Sequence, residues 1–138
     1  MMTKTPLRFA ARMVSLTAIL AYTRHCIAAA SLKEPVAGRI ELVLEELFTN
    51  TVMHGYGREC DESAWLRIEQ RGQTMIIEYS DAAPPYDPIQ HHTDLELDKE
   101  DRPEGGLGIL IARRLSDRMD YRYGAGRNVL TMEFDIPG

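Results

Sequence analysis

The chain has 138 residues, 44% of them hydrophobic and 27% charged, which suits one globular domain (residues 1–138) able to bury a core of its own. Its formal net charge of −5 lacks the basic surface that nucleic-acid binding needs, so no nucleic-acid partner is expected. Cys26 and Cys60 stand outside any CxxC or Cys/His cluster and read as two free thiols in a reducing compartment.

Near the N-terminus, Lys4, Arg8 and Arg12, the run from Met13 to Tyr22 and then Ala28 to Ala30 imitate a signal peptide. Ser15 and Thr17 interrupt that run, however, and Arg24 and His25 follow it directly; it is too short to span a bilayer. The expectation is a cytoplasmic protein without a membrane segment. Residues from Leu7 to Val14 form a first strand, and Leu16, Ile19, Leu20, Thr23, Ile27 and Ala30 recur at helical spacing, giving a helix from Leu16 to about Leu32. Ser31 to Glu34 then offer a cap, with Pro35 in the first turn of the next helix. Val36, Ile40, Val43, Leu44, Leu47, Phe48 and Thr51 fall at steps of three and four and make one apolar face; Gly55 and Gly57 stop it.

Trp65 to Glu69 and Met75 to Ser80 read as strands joined at Arg71-Gly72-Gln73, antiparallel because so short a link cannot cross over. From Asp81 to Gly108 the pattern breaks: Pro84, Pro85, Pro88 and Pro103 exclude a long regular element, and the stretch is acidic. A short helix opens at the glycines with Leu107, Leu110, Ile111, Arg114 and Leu115. Two final strands, Met119 to Tyr123 and Val129 to Ile136, turn at Gly124-Ala125-Gly126. This order predicts an α+β two-layer sandwich, with helices on one face of a mixed, mostly antiparallel sheet.

Three segments carry chemistry. In Glu45-Glu46-Leu47-Phe48-Thr49-Asn50, followed by His54-Gly55-Tyr56-Gly57, the residues Glu46, Asn50 and His54 lie four apart along one helix edge. Asn50 borders the apolar face, so its amide needs a partner: a neighbouring backbone group, or a metal ion or phosphate in a cleft. Asp81, at a strand end before Ala82-Ala83-Pro84-Pro85-Tyr86-Asp87-Pro88, suits either turn chemistry or acceptance of a hydrogen bond from a purine amine. Gly105-Gly106-Leu107-Gly108 opens a helix, where backbone amides can approach an anion. No Gly-Lys-Ser/Thr follows it, and Ile111 occupies the third glycine position of a dinucleotide fingerprint, so it is neither of those motifs.

Together these segments resemble the GHKL family of ATP-binding domains, and most closely its anti-sigma regulatory serine/threonine kinase branch. Glu46 to Asn50 with His54-Gly55-Tyr56-Gly57 is similar to the family's N box, Asp81 to Pro88 to its adenine-contacting box, and Gly106-Leu107-Gly108 to its lid-end glycine box. The resemblance runs from about Val36 to the C-terminus. It implies a Bergerat-type fold and the cofactors ATP and Mg²⁺. Asn50 would hold the metal, Glu46 would be the general base, and Asp81 would fix adenine with Ala83 and Tyr86 beside it. Gly106, Leu107 and Gly108 would close on the phosphates, residues about Ile89 to Glu104 would form a lid, and Thr131 would support the adenine site.

Two departures stand out: Ala83 where the family commonly has glycine, and Tyr86 where phenylalanine is common. Arg102, Arg113, Arg114 and Arg127 are candidates for phosphate or partner contacts, and His91-His92 lacks the further ligands a metal site needs. The resemblance implies a kinase that phosphorylates an anti-anti-sigma (STAS) protein, binds a sigma factor and forms a homodimer. The alternative from another class is a nucleotide-binding interaction module without kinase activity. The catalytic half of a sensor histidine kinase ranks lower, because no dimerisation helix pair with a phospho-accepting histidine precedes the domain.

Overall fold

The computed structural model describes residues 4–85 and 106–137. Three helices pack on one face of a five-stranded sheet with strand order β1-β2-β3-β5-β4. The strands are β1 (Leu7–Ala10), β2 (Ser63–Arg71), β3 (Thr74–Asp81), β4 (Arg118–Gly124) and β5 (Arg127–Asp135); the helices are α1 (Leu16–Ala29), α2 (Val36–Asn50) and α3 (Gly106–Leu115). All four strand pairings are antiparallel, which sharpens the mixed, mostly antiparallel expectation.

Alternation along the strands decides which face is buried. Ala64, Leu66 and Ile68 on β2, Met75, Ile77 and Tyr79 on β3, and Leu130, Met132 and Phe134 on β5 share the helix-covered face. They meet Ile40, Val43, Leu44, Leu47 and Phe48 of α2, each at most 1% exposed. Burial of each such side chain contributes about 1.5–3 kcal/mol. The core therefore fixes α2, and with it whatever projects from its C-terminal end.

Three element boundaries differ from the sequence expectation, each for a local reason. The first strand ends at Ala10 rather than near Val14, because Arg12 pairs with Asp61 and the Met13 amide donates to Glu59 Oε1 at 2.7 Å, folding the chain off the sheet edge. Helix α1 stops at Ala29: Ser31 takes a left-handed φ of 53°, its amide donates to the Ala28 carbonyl, and the Leu32 amide to that of Ile27. That is a Schellman closure with serine where glycine is usual, so the helix runs three residues short of Leu32 in a way that periodicity alone does not signal. At the start of α2 no serine cap forms; Glu34 Oε2 accepts from the Gly38 amide at 3.0 Å instead.

The expected free thiols agree with the structure, Cys26 buried and Cys60 half-buried, both unbridged. Among the described residues no helix is long and apolar enough to cross a membrane. Tyr86, the stretch Ile89 to Glu104, His91-His92 and Arg102 lie outside the described residues.

Candidate functional site

Helix α2 passes at Thr51–Gly55 into a turn of π-helix, closed by the Tyr56 amide donating to the Thr51 carbonyl at 2.8 Å. Such turns rotate successive side chains away from the α-helical rows and recur at functional sites. Here the turn buries Thr51 and Val52 and brings Asn50, His54 and Gly55 to a cleft of about 240 Å³. Its opposite wall is Asp81, Ala83, Pro84 and Pro85, at and just beyond the end of β3; Tyr121 of β4 and Asn128 of β5 complete that side.

Asp81 is only 8% exposed, and no cation touches it among the described residues. Its charge is met by dipoles: the Thr51 hydroxyl donates to Oδ2 at 2.8 Å, while the Ala83 amide at 3.1 Å and the Asn128 side-chain amide at 3.0 Å donate to Oδ1. Because the Thr51 proton goes to Asp81, the 2.6 Å contact between Thr51 and Tyr79 is a bond donated by the Tyr79 hydroxyl. Burial holds the Tyr79 phenol well above its ordinary pKa, so it remains a donor. Tyr56 braces the same wall, accepting from the Ala82 amide at 2.8 Å and donating to the Ser63 carbonyl at 2.7 Å. Burial raises its pKa as well.

Asn50 is the opposite case. Its Oδ1 is buried without a hydrogen-bond partner among the described residues, an arrangement that costs about 1–3 kcal/mol. Asn50 lines the cleft, and a neutral amide carbonyl is a hard ligand suited to Mg²⁺, so this residue fits the metal that the sequence resemblance implies. It is a single ligand: no group of three or more His, Cys, Asp or Glu capable of holding a metal exists among the described residues.

Of the sequence-predicted site residues, Asn50, Asp81 and Ala83 come together at this cleft. Gly106, Leu107 and Gly108 form the first turn of α3, which packs against α2. Glu46, half-buried one turn back on α2, is not among the cleft-lining residues. Thr131 is corrected outright: it pairs with Glu78 and Asp120, and strand alternation sets it on the sheet face away from Asp81. Asn128 and Leu130 face the cleft from β5 instead. The arginine candidates also fall elsewhere. Arg113 and Arg114 are exposed, and Arg127 stacks on Trp65 with 3.6 Å from guanidinium carbon to ring centroid. Sequence reasoning missed Thr51, Tyr79, Tyr121 and Asn128; the period of two through Phe134, Met132 and Leu130 carries to Asn128 and could have found it.

The site is thus a cleft between a helix C-terminus and a strand-end aspartate, on the helix-covered face of the sheet. Residues 9–134 match the family of the Histidine kinase-like ATPase domain, and the chain belongs to that family. No curated protein matches it significantly. Among solved structures it is similar to a chain in the SiaB–SiaC complex of Pseudomonas aeruginosa, with 18% identity, 94% of this chain and 89% of that one covered, and a TM-score of 0.61. The histidine kinase AdeS of Acinetobacter baumannii is 17% identical over 99% of this chain and 70% of that one, with a TM-score of 0.53. The catalytic domain of histidine kinase ThkA, in a nucleotide-free form, is 13% identical over 96% and 97%, with a TM-score of 0.54. At these identities the likeness is one of fold.

Proposed function

We propose that this ATPase-family domain is an ATP-dependent serine/threonine protein kinase that works as an anti-sigma-type regulator, with a STAS-type protein as phosphoryl acceptor. The observation that carries the reading is one cleft lined both by Asn50, whose Oδ1 is buried without a partner among the described residues, and by the buried Asp81. In this reading Asp81 accepts the exocyclic amine of adenine, with Ala83 and Tyr86 as further nucleotide-binding residues. Asn50 holds Mg²⁺, which when bound supplies charge neutralisation for the phosphates. The amides of Gly106, Leu107 and Gly108, at the α3 N-terminus, face the phosphates. Glu46 takes the proton of the acceptor hydroxyl as its oxygen bonds to the γ-phosphorus and the bond to the β–γ bridging oxygen breaks, releasing ADP. A sigma factor as second partner, a homodimer and a cytoplasmic location complete the proposal. The SiaB–SiaC complex, a structure of two named partners, supports an assembly of this kind only through shared fold.

The position of Glu46, outside the cleft-lining set, favours a second reading: a nucleotide-binding interaction module without phosphotransfer. Calorimetry with ATP, with and without Mg²⁺, on the wild type and Asn50→Ala tests the shared part. Saturable, Mg²⁺-dependent binding that the variant loses supports the site; absence of wild-type binding at millimolar ATP removes both readings. Transfer of labelled γ-phosphate to a STAS-type protein, abolished in Glu46→Gln with ATP binding intact, then selects the kinase.

A further inference from the structure

Asn128 holds both sides of the Asp81 wall at once. Its Nδ2 shares two protons among Asp81 Oδ1 at 3.0 Å, the Ala83 carbonyl at 2.9 Å and the Pro84 carbonyl at 3.1 Å, so one of these bonds is bifurcated, while its Oδ1 accepts from the Tyr121 hydroxyl at 2.6 Å. Three acceptors at one end of the amide and a donor at the other leave a single sensible orientation; the flipped amide would set its oxygen against two carbonyls and a carboxylate. β5 supplies this side chain because Asn128 lies directly opposite Asp81 in the antiparallel register.

The consequence lies in what Asp81 has left to offer. An ionised carboxylate has about four acceptor positions, two per oxygen. The Ala83 amide and Asn128 fill those of Oδ1, and Thr51 takes one on Oδ2. Among the described residues, one acceptor position on Oδ2 therefore remains for a ligand. A base presenting one exocyclic amine is satisfied by it. A guanine-type base presents an adjacent N1–H and N2–H pair, which needs both carboxylate oxygens, and it carries an oxo group that a fixed acceptor repels.

We propose that Asn128 is a specificity-determining positioning residue: by occupying Asp81 Oδ1 and pinning the Ala83 and Pro84 carbonyls, it makes the cleft select amine-bearing purines over guanine-type purines. This rests on the reading of the cleft as a nucleotide site and goes beyond it, because discrimination is assigned to a residue that need not touch the base.

The test is calorimetry of Mg-ATP and Mg-GTP on the wild type, Asn128→Ala and Asn128→Asp, with thermal melts of each. Asn128→Ala frees Oδ1 and is expected to lower the ATP-to-GTP affinity ratio by about tenfold or more, through weaker ATP and stronger GTP binding. Asn128→Asp places a second carboxylate beside Asp81, and two so close cannot both ionise. ATP affinity in that variant should therefore acquire a pH dependence as the shared proton is lost, beyond any dependence that cleft-lining His54 and the Tyr56, Tyr79 and Tyr121 phenols give the wild type. A merely structural role would weaken both nucleotides alike and create no such profile. If Asn128→Ala does not fold, Tyr121→Phe, which removes the donor holding the amide oxygen, should move the ratio the same way by about threefold. A wild type that binds ATP, with an unchanged ratio and pH profile in the folded variants, overturns the role of Asn128 alone. A wild type that binds neither nucleotide overturns the nucleotide reading and this inference with it.

Discussion

The Asp81 end and the Asn50 end of the cleft are built on opposite principles. At the first, every polar atom is engaged: Tyr79, Thr51, Asp81, Asn128 and Tyr121 form one hydrogen-bonded chain linking β3, the π-helical turn, β5 and β4. At the second, the buried Asn50 Oδ1 has no hydrogen-bond partner among the described residues. A subsite completed by the protein recognises by shape and fixed dipoles, whereas one left incomplete stores free energy that only a ligand releases. In the proposed reading, recognition at Asp81 is preorganised and anchoring at Asn50 is not.

The sharpest way to break this comparison is Asn50→Leu. Mg²⁺-dependent phosphotransfer is expected to fall by about 10³-fold, yet thermal melts should show a stability unchanged or raised, since the substitution removes an unsatisfied buried group at similar volume. A clear destabilisation would mean that Oδ1 has a partner after all. At the other end the sign reverses. Thr51→Val leaves the Tyr79 hydroxyl and Asp81 Oδ2 without their shared partner and should cost about 1–3 kcal/mol in denaturant melts, with ATP affinity reduced alongside.

Gly55 and Ala83 sharpen the picture further. A Cβ on Gly55 would come 3.1 Å from Ala83 Cβ and 3.8 Å from Asp81 Oδ2, so the two small residues close the wall against the turn. Gly55→Ala should destabilise by about 1 kcal/mol, and adding Ala83→Gly should recover most of it; strict additivity in that double-mutant cycle would show that the two do not share space.

The smallest effect lies away from the cleft. The Arg118 guanidinium beside Asp135 lowers that carboxyl below its ordinary pKa. A depressed folded-state pKa contributes stability above the unfolded value of about 4 and loses it as pH falls below. Arg118→Ala should therefore lower Tm slightly at pH 7 and flatten its fall on acidification.

Much of the fold was legible because burial and period agree. The α2 face from Val36 to Phe48 and the hairpin through Gly72 stand where their patterns predict. Asn50 and Asp81 were legible as residues out of keeping with their surroundings. Thr131 misled because a threonine in a strand says nothing of which face it takes until the register is fixed, and one residue of offset reverses the answer. Asn128 and Thr51 escaped because their importance comes from what lies across the sheet and beyond a turn, at sequence separations of 47 and 30 from Asp81. The π-helical turn escaped too: Glu46, Asn50 and His54 keep a spacing of four, yet only the latter two reach the cleft.

The stack of Arg127 on Trp65 gives the protein a built-in optical probe. Trp65 is the chain's one tryptophan, and it pairs with Ser80, the residue before Asp81, so both lie on the sheet face opposite to Asp81. Excited selectively, this indole sits across the sheet from anything bound in the cleft, so its emission follows separation of β2 from β5 rather than direct contact with a ligand. Tyr79 and Tyr121, by contrast, border the cleft itself. Tryptophan emission excited selectively thus reports unfolding of the sheet with no label attached.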